Sequence, residues 1–381
     1  MIYFDNAATT KKKPKKVIDA VIDAMQSAGN ASRGASDESL SSDRIVFGTR
    51  KRLSDLFNAG SHRQVVFTKN STEALNIALQ GLIDEGDHVV TSYMEHNSVL
   101  RPLNYLKKNH NIEIDYISID EHGDLNYSEI EGLIKPNTKL LVLNHASNVT
   151  GNINDLKKVG EICKANNIIF VVDSSQTAGA FKIDMQEENI DVLCFTGHKS
   201  LLGPQGTGGL CVKENIYIKP LLAGGTGVHT YDLYQPDKMP TRLEAGTLNA
   251  HGIAGLCAGI DYINENCMEE LTEKALDLSE KFYKGICDIE GIKFYGNYSK
   301  KHRSPIVSFN IGDIDSSEVS SILSETYEIS TRPGAHCAPL LHKSFETVNQ
   351  GMVRFSFSHS NTEEEVNVAI KAVKKIVAEM L

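Results

Sequence analysis

The sequence predicts an α/β fold in which a mostly parallel sheet lies between helices, with a smaller α+β domain attached. Between residues 15 and 255, short apolar runs of high β-propensity alternate with helical stretches, a pattern typical of parallel strands covered on both faces. Beyond this point the helical stretches lengthen and the strands become fewer. We therefore predict a large domain of residues 15–255 and a small domain formed by residues 1–14 and 256–381.

The large domain is predicted to begin with two helices separated by a loop. Pro14 precedes a helix from Lys15 to Ala28, over which apolar residues recur at helical spacing. A loop containing glycine and serine is predicted to follow as far as about Ser42. A second helix is predicted to begin at Asn70 to Glu73, where a capping residue is followed by an acid three positions later. Helix N-termini of this kind attract anions.

Five apolar runs predict the strands of the large domain, and a helical pattern at Ile153–Ala165 separates two of them. In parallel sheets ligands bind beyond the carboxyl ends of the strands, so the polar residues that directly follow each run are the candidate site residues. The five runs are His88–Thr91, Ile112–Ile119, Lys139–Leu143, Ile168–Val172 and Val192–Phe195.

The predicted small domain has fewer strands and longer helices. Its last helix is predicted to begin at Thr362, which forms a capping box with Glu365. The elements before it are a helix at Glu269–Ile286, strands near Ile292–Phe294 and Ile306–Ile311, and a helix at Ser316–Glu325.

Composition and charge exclude several functions. The net charge of -10 and the pI near 5.7 argue against nucleic acid as a partner, because that affinity depends on neutralising phosphates. The basic run from Lys11 to Lys16 indicates a solvated helix start. No apolar segment approaches the roughly 20 residues of a membrane span, and the N-terminus lacks a secretory signal. We expect no membrane partner and a cytoplasmic location.

Two polar residues that follow predicted strands indicate a catalytic site. Asp173 follows one predicted strand and Lys199 follows shortly after the next. A pyridine-aldehyde cofactor needs this pair, because a carboxylate keeps the ring nitrogen protonated and a lysine amine forms a Schiff base. Taken alone, such a lysine is usually only solvated and such an aspartate is usually a helix cap, so the pair depends on its wider context.

Four ordered motifs supply that context, and with them the chain resembles the class V aminotransferases, specifically the cysteine desulfurases and selenocysteine lyases. The resemblance extends from Tyr3-Phe-Asp-Asn-Ala-Ala-Thr9 to Arg354. It implies the type I fold of enzymes that depend on pyridoxal 5′-phosphate (PLP). The motifs are Asp173-Ser-Ser-Gln176, Thr196-Gly-His-Lys199, Glu244-Ala-Gly-Thr247 and Arg332-Pro-Gly-Ala-His-Cys337.

The resemblance assigns the residues around the cofactor ring. It implies that Lys199 forms the Schiff base, that Asp173 pairs with the pyridine nitrogen, and that Gln176 donates to the phenolic oxygen. His96 is implied to stack on the ring and to act as a catalytic proton shuttle. Asn148 is implied to lie near both the ring oxygen and the substrate.

The remaining roles concern the phosphate and the substrate. The resemblance implies that Arg354 binds the carboxylate of the substrate, for which a planar bidentate donor is well matched, with Arg332 close by. It also implies that Thr247 reaches the phosphate from the partner subunit, which predicts a homodimer. The phosphate-binding residues of the same subunit are predicted to be Ser71, Thr72, Thr196 and His198.

The implied reaction converts L-cysteine to L-alanine. The freed Lys199 removes the Cα proton, and the thiolate of Cys337 attacks the substrate sulfur and becomes a persulfide that a protein acceptor then takes. His336 and Arg332 are expected to favour the thiolate. The seven cysteines form no Cys-x-x-Cys pair and are expected to be reduced thiols.

The chain departs from the group with a short cysteine loop at two places. Ala335 replaces the first of two histidines before the cysteine, and Ser32 to Ser36 replaces a histidine-containing loop. The persulfide acceptor and the destination of the sulfur stay open among iron–sulfur cluster assembly, tRNA thiolation and selenium metabolism.

Three other functions remain as alternatives, and two further patterns, a metal site and a phosphate loop, do not match their sequence signatures. A selenocysteine lyase shares almost every motif, another class V aminotransferase or lyase does not need Cys337, and a sulfur carrier without turnover would keep the fold. A metal site built from His336, Cys337 and His342 matches no closed zinc pattern, so no metal is expected. The glycine-rich run Gly203–Gly209 lacks the ending of a phosphate loop and predicts a turn beside the lysine.

Overall fold

A seven-stranded sheet organises the larger part of the molecule, which was analysed as a computed structural model describing residues 1–27, 37–300 and 302–381. The strands of the described chain are β1 (Ile2–Tyr3), β2 (Val65–Thr68), β3 (His88–Ser92), β4 (Glu113–Ile117), β5 (Thr138–Asn144), β6 (Ile169–Asp173), β7 (Val192–Thr196), β8 (Gly208–Val212), β9 (Ile292–Tyr295), β10 (Ile306–Ile311), β11 (Ile329–Ser330) and β12 (Val353–Ser356). The helices are α1 (Lys15–Ser27), α2 (Asp37–Leu56), α3 (Ser71–Leu82), α4 (Asn97–His110), α5 (Ile130–Leu133), α6 (Leu156–Ala165), α7 (Ala250–Glu265), α8 (Met268–Ile286), α9 (Ser316–Tyr327), α10 (Pro339–Ser344) and α11 (Glu363–Met380).

The strand order of the large sheet is β2-β8-β7-β6-β5-β3-β4. Only β8 is antiparallel to its neighbours, and the other pairs are parallel. The predicted α/β fold with a mostly parallel sheet is therefore confirmed. Because Asn144 pairs with Asp173 and Asp173 with Cys194, the ends of β5, β6 and β7 lie side by side.

The side chains of each central strand alternate between two hydrophobic cores, one on each face of the sheet. In β5, Leu140 and Val142 belong to one hydrophobic cluster, and Leu141 and Leu143 belong to another. Successive strand side chains point to opposite faces, so the sheet is apolar on both. Burying such a side chain fully contributes about 1.5–3 kcal/mol, which explains why these strands read as continuous apolar runs.

Most predicted elements are present, with shifted ends. Helix α6 begins at Leu156 rather than at Ile153, because the Asp155 side chain caps it by accepting a hydrogen bond from the Lys158 N–H at 3.0 Å. The loop predicted to reach Ser42 is wrong over its last part, since α2 begins at Asp37.

The second part of the molecule is built on the antiparallel sheet β12-β10-β9. Phe4, Phe282, Phe309 and Phe355 form the centre of its core, and the predicted capping box at Thr362 is present at the start of α11. Strand β1 pairs with β11, which brings the N-terminus to this part of the chain.

Helix α7 runs across residue 255 and packs on α1 and α2, so the predicted domain division stays a prediction. Among the described residues, no helix has the length and apolar character that a membrane span requires.

Candidate active site

A polar cavity of about 200 Å³ lies at the carboxyl ends of β3, β5, β6 and β7. It collects almost every cofactor and substrate residue predicted from the sequence. Those that line it are Ser71, Thr72, His96, Asn148, Asp173, Gln176, Thr196, His198, Lys199, Arg332 and Arg354. Two predicted residues lie elsewhere: Cys337 lines an adjoining groove, and Thr247 lines a separate pocket.

Asp173 is a buried carboxylate at the end of β6. Its Oδ1 accepts a hydrogen bond from the Ser175 N–H at 3.0 Å and further bonds from the hydroxyls of Ser71 and Ser175. Its Oδ2 has no hydrogen-bond partner among the described residues. A carboxylate with one oxygen anchored and the other open is suited to hold a proton on a pyridine nitrogen.

Lys199 lines the same cavity and forms no ion pair with the described chain. Burial lowers the pKa of its amine to about 8, with Arg354 and Arg332 adding to the shift and Asp173 opposing it. About a tenth of such amines are neutral at pH 7, against fewer than about one in a thousand for an ordinary lysine. The cavity therefore favours the nucleophilic form of this amine.

His96 caps the start of α4 with its ring. Its Nδ1 accepts a hydrogen bond from the Ser98 N–H at 3.0 Å, so a neutral ring carries its proton on Nε2. Burial lowers the pKa of His96 to about 4, although Asp173 acts in the opposite direction. The side chain is thus a neutral imidazole at neutral pH, able to donate from Nε2.

The start of α3 supplies the anion-binding part of the cavity. Asn70 caps this helix by accepting a hydrogen bond from the Glu73 N–H at 2.9 Å, and Ser71 and Thr72 in its first turn line the cavity. The free N–H groups and the helix dipole at such a terminus favour a phosphate. Thr196 lines the same cavity from a different element, the end of β7.

Four buried polar atoms of cavity-lining residues have no hydrogen-bond partner among the described residues: Asn148 Oδ1, Thr196 Oγ1, His336 Nδ1 and Arg354 Nε. Buried polar groups are normally paired, so these atoms indicate that a polar ligand belongs in the cavity. They include both donors and acceptors, and the cavity also holds the Asp173 carboxylate and the Lys199 amine. The residues present therefore fit PLP with an amino acid substrate.

The loop that carries Cys337 is held from both sides. Asn97 N–H donates to the Cys337 carbonyl and Asn148 Nδ2 to the His336 carbonyl, each at 2.7 Å. His336 and Cys337 have φ of 49° and 58°, a region that costs energy for residues other than glycine. These hydrogen bonds hold the strained loop in place.

One expectation for this loop is corrected. Burial lowers the pKa of His336 well below its usual value, with Arg354 adding to the shift, and its Nε2 donates to the Arg332 carbonyl at 3.0 Å. A neutral imidazole bonded away from Cys337 supplies no positive charge to a thiolate. Of the two groups expected to favour the thiolate, only Arg332 carries a charge. The altered loop at Ser32–Ser36 lies outside the described residues.

Two acids that contact cavity-lining residues, Arg354 and Asn144, were not predicted from the sequence. Asp5 forms a 2.7 Å ion pair with Arg354, and Glu95 is fully buried with Oε1 accepting from Ser92 Oγ at 2.7 Å. Burial raises the pKa of Glu95 to about 8, so this carboxyl is neutral at neutral pH. The signal for Asp5 was its place in the N-terminal motif, and the signal for Glu95 was its position directly before His96.

Fold and cavity together define an enzyme that depends on PLP. The sequence model of the class V aminotransferases matches residues 2–368. The chain is 33% identical to a probable cysteine desulfurase of Pyrococcus abyssi, over 99% of this chain and 94% of that protein. It is 30% identical to a cysteine desulfurase of Haloferax volcanii, over 98% of this chain and 88% of that protein. The apo structure of the cysteine desulfurase from Thermococcus onnurineus NA1 superposes with a TM-score of 0.94 at 33% identity, covering 100% of this chain and 95% of that one. The protein belongs to the class V aminotransferase family, in its cysteine desulfurase group.

Proposed function

We propose that the protein is a cysteine desulfurase that converts L-cysteine to L-alanine and keeps the sulfur as a persulfide on Cys337. The observation that carries this proposal is the cavity that Lys199 and Asp173 both line, next to the groove that contains Cys337. Thr72, His96 and Ser98 line both spaces. A substrate held in the cavity can therefore present its sulfur toward the groove.

Side chains of the protein itself bind the substrate and transfer the protons in most steps of the reaction. When bound, PLP supplies an aldehyde that reacts with amines and a protonated ring that withdraws electrons from Cα. Lys199 is the base that takes the Cα proton, and Asp173 Oδ2 keeps the ring nitrogen protonated. Arg354 Nε has no partner among the described residues and is free for the substrate carboxylate, while Nη1 and Nη2 each donate one bond that holds the side chain, to Asn148 O and Asp5 Oδ1. His96 offers a proton from Nε2.

Cys337 is the residue that accepts the sulfur from the substrate. Its thiolate attacks the sulfur of the substrate, so the S–S bond of a persulfide forms while the Cβ–S bond breaks, and Cβ is then protonated to give alanine. The groove around Cys337 has a volume of about 420 Å³ and is open to solvent. Its lining from α3 and α4 includes Asn76, Gln80, Arg101 and Tyr105. We propose this groove as the route by which a protein acceptor reaches the persulfide.

The function is tested with purified protein, PLP and L-cysteine. With a thiol reductant, equal amounts of alanine and sulfide should form over many turnovers, because two thiols reduce the persulfide to sulfide and restore Cys337. Without added reductant, alanine formation should slow sharply after the first turnover, because the thiol of the substrate is then the only group available to reduce the persulfide. Pyruvate and ammonia as products, or transfer of the amino group to a keto acid, would show that another reaction of the family takes place.

We further propose that the protein is a homodimer in which Thr247 completes the cavity of the partner subunit. Thr247 does not line the cavity that holds Lys199. The preceding segment also exposes large apolar side chains, and Tyr231, Leu233 and Tyr234 are 98%, 97% and 88% exposed. Contiguous exposed apolar residues mark interaction surfaces.

We also propose a cytoplasmic location. The structure contains seven free cysteines, and thiols are kept reduced in the cytosol.

Hybrid dimers test this arrangement. Thr247→Ala should weaken PLP binding by about tenfold or more, because a hydrogen bond to a charged group is lost. A hybrid of Thr247→Ala and Lys199→Ala subunits should regain about half of the wild-type activity, since one of its cavities then contains no substitution. If Thr247 acted within its own subunit, each cavity of the hybrid would contain one substitution, and the activity at limiting PLP would not exceed that of the Thr247→Ala homodimer.

A further inference from the structure

Three donors from the N-terminal segment converge on the carbonyl of His198, the residue before Lys199. Thr10 N–H donates at 3.2 Å, Lys13 Nζ at 2.8 Å, and the Thr9 hydroxyl lies at 3.3 Å. The Thr10 hydroxyl donates to the Lys199 carbonyl at 3.0 Å. The peptide that carries the two site residues is thus held by this segment.

Lys13 differs from the other lysines of its basic run. Lys11 and Lys12 are exposed, whereas Lys13 is partly buried and has no carboxylate partner within the described parts of the chain. Burial lowers the pKa of Lys13 to about 8. The interpretation of the run as a wholly solvated helix start is therefore wrong for Lys13, which turns inward and bonds to a carbonyl.

The hydrogen bonds around His198 leave one consistent proton arrangement. A carbonyl oxygen has two lone pairs, and the Thr10 N–H and the Lys13 amine occupy both. The single proton of the Thr9 hydroxyl is then free for His198 Nδ1, which is also closer, at 3.0 Å. Burial lowers the pKa of His198 to about 4, and Lys199 and Lys13 add to the shift, so the ring is neutral. With Nδ1 accepting, the ring proton lies on Nε2.

We propose that Lys13 is a positioning residue for cofactor binding: it saturates the His198 carbonyl, directs the Thr9 hydroxyl to Nδ1, and so fixes the tautomer in which His198 Nε2–H donates to the phosphate. The inference rests on the proposed function, in which this cavity holds the phosphate of PLP. His198 lines the cavity, and its Nε2 has no partner among the described residues. Without the Lys13 donor, the Thr9 proton is drawn to the carbonyl. The opposite tautomer, with a lone pair on Nε2 that repels phosphate, then becomes accessible.

The test compares the affinity of the apoenzyme for PLP with its affinity for pyridoxal, which lacks the phosphate. Lys13→Met keeps the length of the side chain but cannot donate, and should lower the PLP-to-pyridoxal affinity ratio by about tenfold, as expected for losing a bond to a charged group. Lys13→Arg keeps a donor and should retain most of the ratio. Lys12→Met, an exposed neighbour in the same run, is the matched control and should leave the ratio unchanged.

Thr9→Val provides a second route, because it removes the hydroxyl and leaves Lys13 intact, and it should lower the same ratio. An equal loss of PLP and pyridoxal binding in Lys13→Met, or an unchanged ratio, would overturn the inference while the proposed function stands. Wild-type protein that binds neither compound would overturn the proposed function itself, and the inference with it.

Discussion

Replacing Lys199 by alanine is expected to lower cysteine turnover by about 10⁴-fold, the upper range for a positioned proton-transfer group. Among the residues that the structure describes, Lys199 is the one amine that lines the cavity with Asp173, so no described lysine can take its place there. The variant should also give no covalent cofactor adduct after borohydride treatment, although PLP can still bind through its phosphate. Lys199→Arg keeps the positive charge but is not a nucleophile, so it should be equally inactive.

The pH dependence of cofactor attachment gives this prediction a second readout. The neutral amine is the attacking form, and its fraction rises with pH through the pKa. Because burial lowers the pKa of Lys199 to about 8, the rate of adduct formation in the wild-type apoenzyme should rise between about pH 7 and 9. Adduct formation with a midpoint near that of an ordinary lysine, or turnover by Lys199→Ala at a tenth of the wild-type rate, would contradict the assignment.

Replacing Cys337 by serine is expected to reduce the formation of alanine from cysteine by ~10³-fold or more, as when other covalent nucleophiles are removed. A serine hydroxyl is not ionised at neutral pH and cannot hold a persulfide. The cofactor should still bind normally, because Cys337 lines the groove and not the cavity. Its absorbance and borohydride-trapped adduct at Lys199 should match those of the wild type.

Cys267→Ser is the matched control, since Cys267 is an exposed cysteine before α8 and should not affect turnover. Mass spectrometry after one turnover should find an added sulfur on Cys337 and none on Cys267. If Cys337→Ser released sulfide from cysteine at the wild-type rate with reductant present, direct elimination would replace the persulfide route. Lost turnover of cysteine with retained turnover of selenocysteine would instead favour a selenocysteine lyase.

The sequence predicted the fold well where a local pattern and the tertiary environment agree. Strand β10 was predicted with the observed bounds, Ile306–Ile311, because its residues are buried throughout. Helix α4 was not predicted, and it contains Pro102, which is buried together with Val99 and Leu103 although proline is unfavourable inside a helix. Helix α2 was missed because its sequence is polar on much of its surface, so its stability comes from packing on α7.

The sequence by itself determined which residues are the candidates for the site. Asp173 and Lys199 could be named because both follow predicted strands whose ends meet at one edge of a parallel sheet, and because the motifs around them resemble those of the class V aminotransferases. Cys337 could be named because its motif is specific. These inferences depend on local patterns and on topology, both of which are present in the order of the residues.

Only the tertiary structure decided the protonation states and the placement of the groups. Cys337 lies in a groove beside the cavity, His336 is neutral rather than charged, and Lys13 turns inward to the His198 carbonyl. Each outcome depends on burial and on contacts between segments that are distant in the chain. A pKa or a tautomer is set by the surrounding dielectric and hydrogen bonds, and these exist only when the segments have packed together.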